Sequence, residues 1–461
     1  MRTGTPRPHP SGPPEVAVLG GGLIGLVTAW RAAQRGLRVT VVDPAPGGGA
    51  ALVAAGMLAA VTELHYGEET LLRLNLASAR RYPEFVRELE EASGREVGYR
   101  ACGTLSVALD ADDRAHLREL HALQARCGLD SRWLTGRECR RLEPLLAPSV
   151  RGGVRVDGDH QVDPRRLVAA LLRAGAAAGV EFRHATARRL LTEDGRAAGV
   201  ALDDGTELRA GQTVLAAGAH AARLAGVPAG LLPPVRPVKG QVLRLRMPTP
   251  RTPPPGRAPD GDTAPRPSGP ADGAPEPPGP ADGGPSGAAL ATVGAPYHPG
   301  ADPAPAPTAP AGGFPSLAAP LLSRTVRAVV RGTPLYLVPR ANGELVVGAT
   351  SEETGFDTTV TAGGVYELLR DAHELVPGVT ELPLAEVRAG LRPGSPDNAP
   401  LLGPTALPGL HLATGHFRNG VLLTPITGDA MAELLRTGEV PEPIRPFTPE
   451  RFTPDPEERP S

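Results

Sequence analysis

An α/β fold that begins with a β-α-β unit is predicted from the start of the chain. The apolar run Val16–Leu19 ends in three glycines, and the apolar residues of Leu23–Gln34 then recur with a helical period. Gly36 follows as a candidate C-cap, and Val39–Val42 is a second apolar run that ends at Asp43. A strand, a helix and a strand within about thirty residues are typical of one β-α-β unit in a parallel sheet.

The glycines between the first strand and the helix have the spacing of a dinucleotide-binding motif. Gly20, Gly22 and Gly25 satisfy the pattern G-x-G-x-x-G. In this motif the first glycine permits a tight turn, the second lets a pyrophosphate approach the backbone, and the third lets the helix pack on the strand. The helix N-terminus then offers N–H groups to the phosphates. Asp43 can accept hydrogen bonds from ribose hydroxyls and disfavours a 2′-phosphate, so the motif predicts NAD or FAD rather than NADP.

The rest of the chain alternates between helical and strand patterns. Asp163 and Pro164 are suited to the first turn of a helix, and the pairs Asp204-Gly205 and Asn342-Gly343 are typical of hairpin turns. The periodicity predicts helices at 70–93, 112–127, 164–178, 364–375 and 419–435, a hairpin at 190–208, and strands at 180–182, 213–215, 335–339, 345–347, 386–391 and 410–413.

A stretch rich in Pro, Gly, Ala and Asp interrupts this pattern at 249–320, where the sequence GPADG occurs twice. Such a composition cannot bury enough apolar surface to offset the entropy of ordering it. We therefore predict a disordered insertion, and flexible termini at 1–13 and 441–461. A proline-rich partner motif within the insertion is the alternative interpretation.

Composition and charge exclude several classes of protein. The net charge of -2 gives no reason to expect binding to nucleic acid or to an anionic membrane. Three cysteines without CxxC spacing argue against a disulfide framework and against a zinc site, and the histidines also lack metal-ligand spacing. These features predict a cytoplasmic protein without a metal and with reduced thiols.

A second glycine-rich segment separates FAD from NAD. Residues 47–57 contain Gly47, Gly48 and Gly49 and end at Gly56 and Met57, soon after the predicted ribose-binding aspartate. An extended FAD would continue in this direction toward its ribityl chain and flavin, and small residues permit close approach of the backbone. The segment favours FAD, with a flexible loop as the alternative.

Two arginines and a tyrosine are candidates for contact with flavin or substrate. Residues 415–420 contain Arg418 and are predicted to open a helix whose N-terminus would stabilise a reduced flavin. Arg392 is predicted to lie in a turn, where its guanidinium could hold a carboxylate in bidentate geometry. Tyr336 lies on a predicted strand, where its hydroxyl could bind the same carboxylate. A solvated arginine, a structural ion pair and a core tyrosine are the respective alternatives.

Together these segments resemble the flavin-dependent amine oxidases of the D-amino-acid oxidase group, and within that group the glycine oxidases of thiamine biosynthesis. The similar stretches are VAVLGGGLIGLVTAW, AAGMLA, HQVDP, VLAAGAHA, PVKGQ, YLVPRANGELVVGAT, AGLRPGSPDNAP and GHFRNGVLLTP. The last three are specific, whereas VLAAG is shared by many flavoproteins.

The resemblance implies a Rossmann-like domain that binds FAD noncovalently and is assembled from the discontinuous segments 14–92, 150–235 and 385–440. It implies a second, α+β domain with a mixed sheet, formed by 93–149 and 236–384, that binds the substrate. Substrate-binding positions by this likeness are Arg392, Arg418, Tyr336 and Met57. Cofactor-binding positions are Gly20, Gly22, Leu23, Ile24, Gly25, Asp43, Pro44, Ala51, Ala55, Gly56, Met57, Ala187, Ala217, Gly218, His416, Phe417, Arg418, Asn419, Gly420, Val421 and Leu422.

The same resemblance implies oxidative deamination of glycine, with O2 reduced to H2O2, in a homotetramer that supplies thiazole synthesis. Pro334 and Ser351 depart from the larger or polar groups of the family near the substrate, which puts the substrate preference in doubt. D-amino-acid oxidase, sarcosine oxidase and quinone-linked amino-acid dehydrogenase activities are the enzymatic alternatives. A flavin-bearing scaffold that binds partners through the Pro-rich insertion is the non-enzymatic one.

Overall fold

The computed structural model describes residues 14–247 and 321–452. In this structure the first β-α-β unit has the bounds that the sequence predicts. Strand β1 (Val16–Leu19), helix α1 (Leu23–Gln34) and strand β2 (Val39–Val42) follow one another, and β1 pairs with β2 in parallel. The predicted insertion at 249–320 and the terminal segments 1–13 and 453–461 lie outside the described residues.

The β-α-β unit belongs to a six-stranded sheet that is mostly parallel. The order is β18-β19-β12-β1-β2-β8, and only β18 runs antiparallel to its neighbour. The further strands are β8 (Glu181–Arg183), β12 (Gln212–Leu215), β18 (Leu401–Pro404) and β19 (Leu410–Thr414). Distant parts of the chain therefore build one sheet, and the carboxyl ends of its parallel strands meet at the glycine-rich turn.

An eight-stranded mixed sheet is the second large element, in the order β17-β13-β16-β15-β14-β4-β6-β5. Its strands are β4 (Thr104–Ala108), β5 (Arg132–Thr135), β6 (Gly152–Val156), β13 (Arg236–Arg246), β14 (Thr325–Val330), β15 (Thr333–Pro339), β16 (Glu344–Gly348) and β17 (Leu384–Gly394). The predicted Asn342-Gly343 turn joins β15 to β16, which pair in antiparallel fashion. The mixed sheet that the family resemblance implies is confirmed.

Two smaller sheets and the helices complete the described part. The strands are β3 (Met57–Leu58) with β7 (His160–Gln161), and β9 (Ala187–Glu193), β10 (Arg196–Leu202) and β11 (Glu207–Arg209). The helices are α2 (Glu69–Ser93), α3 (Ala111–Arg126), α4 (Gly136–Leu142), α5 (Pro164–Ala177), α6 (Ala362–Leu375) and α7 (Thr424–Thr437). Asp163 caps α5 as predicted, accepting the N–H of Arg165 at 3.0 Å. Among the described residues, no helix combines the length and apolar character that crossing a membrane requires.

Two strands and the C-terminal segment bear on the predicted boundaries. The resemblance implies that 150–235 and 385–440 belong to the FAD-binding domain, whereas β6 and β17, which lie in these ranges, pair within the mixed sheet. Residues 442–452 are not a flexible tail, because Glu442–Phe447 and Pro449–Phe452 form 3-10 helices in which Ile444 and Phe447 are buried. The described residues form one compact unit, so the division into two domains stays a prediction.

Candidate functional site

A cavity of about 1700 Å³ brings most of the predicted site residues together. Its lining includes the glycine-rich turn, segment 48–57 and parts of the mixed sheet. The predicted substrate-binding residues on its wall are Arg392, Arg418, Tyr336 and Met57. The predicted cofactor positions on its wall are Gly20, Gly22, Leu23, Ile24, Asp43, Pro44, Ala51, Ala55, Gly56, Met57, Ala187, Ala217, Gly218, His416, Phe417, Arg418, Gly420 and Val421. Gly25, Asn419 and Leu422 lie behind this wall rather than on it.

Gly25 is placed by packing between α1 and the glycine-rich turn. A Cβ at Gly25 would lie 1.9 Å from the carbonyl oxygen of Gly20, so the helix can approach the turn only without a side chain there. The half-buried Asp43 carboxylate accepts the N–H groups of Gly21 and Ala45, each at 2.7 Å. These contacts fix the carboxylate at the rim of the cavity, next to the end of β1.

The N-terminus of α1 opens into this cavity without a capping side chain. Gly22 is the N-cap residue and makes no side-chain cap, and the first turn contains no acidic residue. A Cβ built on Gly22 would meet no atom within 4 Å, although Leu23 and Ile24 beside it line the cavity. N–H groups that no side chain of the described residues caps, together with the positive end of the helix dipole, therefore face a space that suits a phosphate group.

Arg392 lies on strand β17 and not in a turn, which corrects the prediction. Gly390 and Pro393 indicate a turn, but β17 is the edge strand of the mixed sheet, where a proline is tolerated. The guanidinium donates to the backbone carbonyls of Lys239, at 3.4 Å, and Thr350, at 3.2 Å. Within the described ranges no carboxylate pairs with it.

Tyr336 projects from β15 toward the same part of the cavity. The Arg392 guanidinium lies near its hydroxyl, and burial raises the pKa of Tyr336 despite the opposing effect of that arginine. A Cβ at Gly348, opposite Tyr336 in the sheet, would lie 2.4 Å from the hydroxyl oxygen. The phenol is therefore closely packed and neutral, beside an arginine that pairs with no acidic side chain of the described residues.

A charged cluster that the sequence analysis does not predict lies beside Tyr336, since Arg327 pairs with Tyr336 across β14 and β15. Arg418 pairs with Glu63, at 3.1 Å, and with Glu68, while Arg327 pairs with the same Glu63. Burial alone would raise the pKa of Glu63, but Arg327 and Arg418 hold it below its usual value. One signal was available in the sequence, since Arg327 is the only charged residue of the strand TVRAVV.

The segment around His416 differs from the predicted helix start. Residues Phe417–Asn419 form a 3-10 helix, and α7 begins only at Thr424, next to Pro425. Proline suits the first turn of a helix, which explains why α7 starts there. The His416 ring is buried with its Nε2 3.1 Å from the Thr427 hydroxyl, and burial lowers the pKa of this imidazole to about 3.

Acid is expected to destabilise the fold through His416. An unfolded histidine binds a proton below its usual pKa of about 6.5, whereas the buried imidazole stays neutral down to about pH 3. The stabilisation is present above pH 6.5 and is lost as pH falls toward 3, by about 2 kcal/mol at pH 5. Urea unfolding at pH 7.5 and pH 5.0 measures this loss. His416→Gln keeps an amide near Thr427 but cannot titrate, so its stability should fall less; an equal fall in both proteins would contradict the assignment.

The described residues contain no cluster of His, Cys, Asp and Glu that could hold a metal ion. Cys102, Cys127 and Cys139 are all free thiols, as predicted. Burial raises the pKa of the Cys139 thiol to about 11, which makes it unreactive at neutral pH. The candidate chemistry therefore rests on the cavity and its arginines.

Comparisons with known proteins cover nearly the whole chain. The family model described as FAD dependent oxidoreductase (DAO) matches residues 15–273 and 290–434. The glycine oxidase of Geobacillus kaustophilus is 30% identical over 438 residues, which cover 94% of this chain and 96% of that protein. A crystal structure of glycine oxidase from the same organism matches with a TM-score of 0.75 at 29% identity, covering 96% of this chain and 99% of the other.

Two further relatives have other names and functions. The bifunctional protein ThiO/ThiG of Synechocystis sp. is 32% identical over 441 residues, which cover 95% of this chain. This chain spans 54% of that bifunctional protein. The hydrogen cyanide synthase subunit HcnC of Pseudomonas aeruginosa is 29% identical over 479 residues, covering 96% of this chain and 97% of the subunit. Relatives of similar sequence identity thus have different names. Sequence identity alone does not determine the substrate of this chain, and the residues of the cavity must be considered.

Proposed function

Because this chain belongs to the FAD dependent oxidoreductase family, we propose that it deaminates glycine oxidatively, forming the imino acid and then glyoxylate and ammonia while O2 is reduced to H2O2. The likeness to the glycine oxidase of Geobacillus kaustophilus supports this reaction. A role in supplying thiazole synthesis, a cytoplasmic location and a homotetrameric state belong to the same proposal.

The residues of the cavity fit FAD. The uncapped N-terminus of α1 and the open space at Gly22 suit the pyrophosphate, and Asp43 at the rim suits the adenosine ribose. Ala51, Ala55 and Gly56, with residues 416–418, 420 and 421, would line the flavin end. When bound, FAD would accept the two electrons of the oxidation, and O2 would reoxidise it.

One observation supports an amino acid as the substrate. The Arg392 guanidinium faces the cavity beside the neutral Tyr336 hydroxyl, and its protein partners are backbone carbonyls rather than carboxylates. A planar guanidinium and a phenol together match the two oxygens of a substrate carboxylate. The carboxylate would then fix the position of the α-carbon in the cavity, and this positioning is the main contribution of these two side chains.

The two imidazoles and the carboxylate that line this part of the described structure have lowered pKa values, which makes them weak bases. Burial lowers the pKa of His416 to about 3, and Arg327 and Arg418 lower the pKa of Glu63 against the effect of burial. Desolvation, with Arg418, also lowers the pKa of His65. We therefore expect the substrate amine to bind already deprotonated, so that the protein contributes orientation rather than proton abstraction.

Turnover of small amines by the purified yellow holoprotein tests the proposal. Glycine, sarcosine, D-alanine and D-proline are compared with peroxide detection, and a soluble quinone is supplied in parallel without O2. We expect peroxide release with the highest kcat/KM for glycine. Peroxide from none of these amines would overturn the oxidase proposal. Turnover with the quinone alone would favour a dehydrogenase, and a flavoprotein inactive in every arm would favour the scaffold.

A further inference from the structure

The charged cluster of Glu63, Glu68, Arg327 and Arg418 is not used by the proposed reaction. Glu63, Arg327 and Arg418 all line the cavity, and their side chains are between 13% and 20% exposed. Arg327 lies directly opposite Tyr336 in the β14–β15 pair, and its guanidinium is 3.8 Å from the Met57 sulfur. The cluster therefore borders the space in which the carboxylate-binding pair holds its ligand.

Arg392 and the cluster differ in net charge. Among the described residues, the Arg392 guanidinium donates to backbone carbonyls and pairs with no carboxylate. In the cluster, two arginines pair with two glutamates, so its formal charge is zero. Glu63 is central to this balance, since its carboxylate lies between both guanidinium groups and is shared by them. A carboxylate of the protein thus already occupies the place between the two guanidinium groups.

We propose that Glu63 is a specificity-determining residue that restricts the site to amines with a single carboxylate. The inference rests on the proposed function, because it assumes that Arg392 holds the first carboxylate. A dicarboxylic amine would have to place its second carboxylate beside Glu63, where like charges repel and both arginines are already paired. Glycine or sarcosine meets no such repulsion. The arginines that flank Glu63 keep its carboxylate ionised, which maintains this barrier at neutral pH.

Replacing Glu63 by glutamine removes the charge and keeps the shape of the side chain. The cluster then has one excess positive charge, which a second ligand carboxylate can neutralise. We expect the ratio of kcat/KM for iminodiacetate to that for glycine to rise about tenfold or more, mainly through the KM of iminodiacetate. Glu68→Gln is the matched control, since it removes the same charge from Arg418 at a residue that does not line the cavity. Its ratio should change by less than about threefold.

Ligand binding without turnover separates this inference from the proposed function. Malonate and acetate are titrated against the holoprotein, and the change in the flavin absorbance reports binding. Glu63→Gln should raise the affinity for malonate relative to acetate about tenfold, even if no amine is oxidised. Glu63→Ser, which is also neutral, is the second variant should the first fail to bind FAD. Equal malonate-to-acetate ratios in the wild type and the neutral variants would overturn the proposal.

Discussion

Replacing Arg392 by alanine is expected to lower kcat/KM for glycine roughly 150-fold, almost entirely through KM. The guanidinium has no acidic partner in the described part of the chain, so its charge is available to the substrate carboxylate. Removing one member of a desolvated charge pair costs about 3 kcal/mol, which corresponds to that factor. Steady-state kinetics of peroxide release over a wide range of glycine concentrations measures the change.

Two further variants identify the source of the loss. Arg392→Lys keeps the charge but cannot present two parallel N–H groups, so we expect an intermediate loss of about tenfold. Arg388→Ala removes an arginine from the same strand whose charge is already paired with Glu386, and kcat/KM should change less than about threefold. If Arg392→Ala leaves KM within twofold of the wild type, the carboxylate is held elsewhere.

Those parts of the site that depend on local sequence could be predicted. Gly20, Gly22 and Gly25 act within one turn, and their spacing encodes both the bend and the close approach of α1. Asp163 likewise caps the helix that follows it directly. In each case the residues that determine the local structure lie within a few positions of the turn or helix they shape. A local sequence pattern is therefore sufficient to predict it.

Arg392 shows where local reasoning failed. Its neighbours Gly390 and Pro393 are typical of a turn, yet pairing with β13, some 150 residues earlier in the chain, makes the segment an edge strand. The alternative to a substrate role was a structural ion pair, and no local pattern could decide between them. The decision depends on which carboxylates the fold brings near, which is a tertiary property.

The cluster around Glu63 was beyond prediction for the same reason. Arg327 is 264 residues from Glu63 in the chain, and Glu68 is 350 residues from Arg418. Arg418 alone suggested a substrate contact, but these partners neutralise its charge. The family resemblance implies a position for Arg418 but does not describe the charges around it, and for this reason our proposal places the α-carboxylate at Arg392 alone.

Replacing Gly22 by valine is expected to give a folded protein that does not retain FAD. The backbone at Gly22 has φ -74° and ψ -179°, which valine readily adopts, and its Cβ would meet no protein atom within 4 Å. The same side chain would fill the space at the N-terminus of α1 that the pyrophosphate needs. We expect the affinity for FAD to fall at least about 100-fold, and activity to be lost with it. Fluorescence titration of the apoprotein with FAD measures the affinity.

Two glycines make the controls for this experiment. A Cβ at Gly158 also meets open space, but this residue lies in a surface turn away from the cavity, so Gly158→Val should bind FAD normally. A Cβ at Gly25 would collide with the Gly20 carbonyl, so Gly25→Val should fail to fold, as far-ultraviolet circular dichroism would show. Normal FAD affinity in a folded Gly22→Val would mean that the pyrophosphate does not lie at the start of α1. The three variants thereby separate the space required by the cofactor from the space required by the fold, because all add the same side chain to a glycine and differ only in what surrounds it.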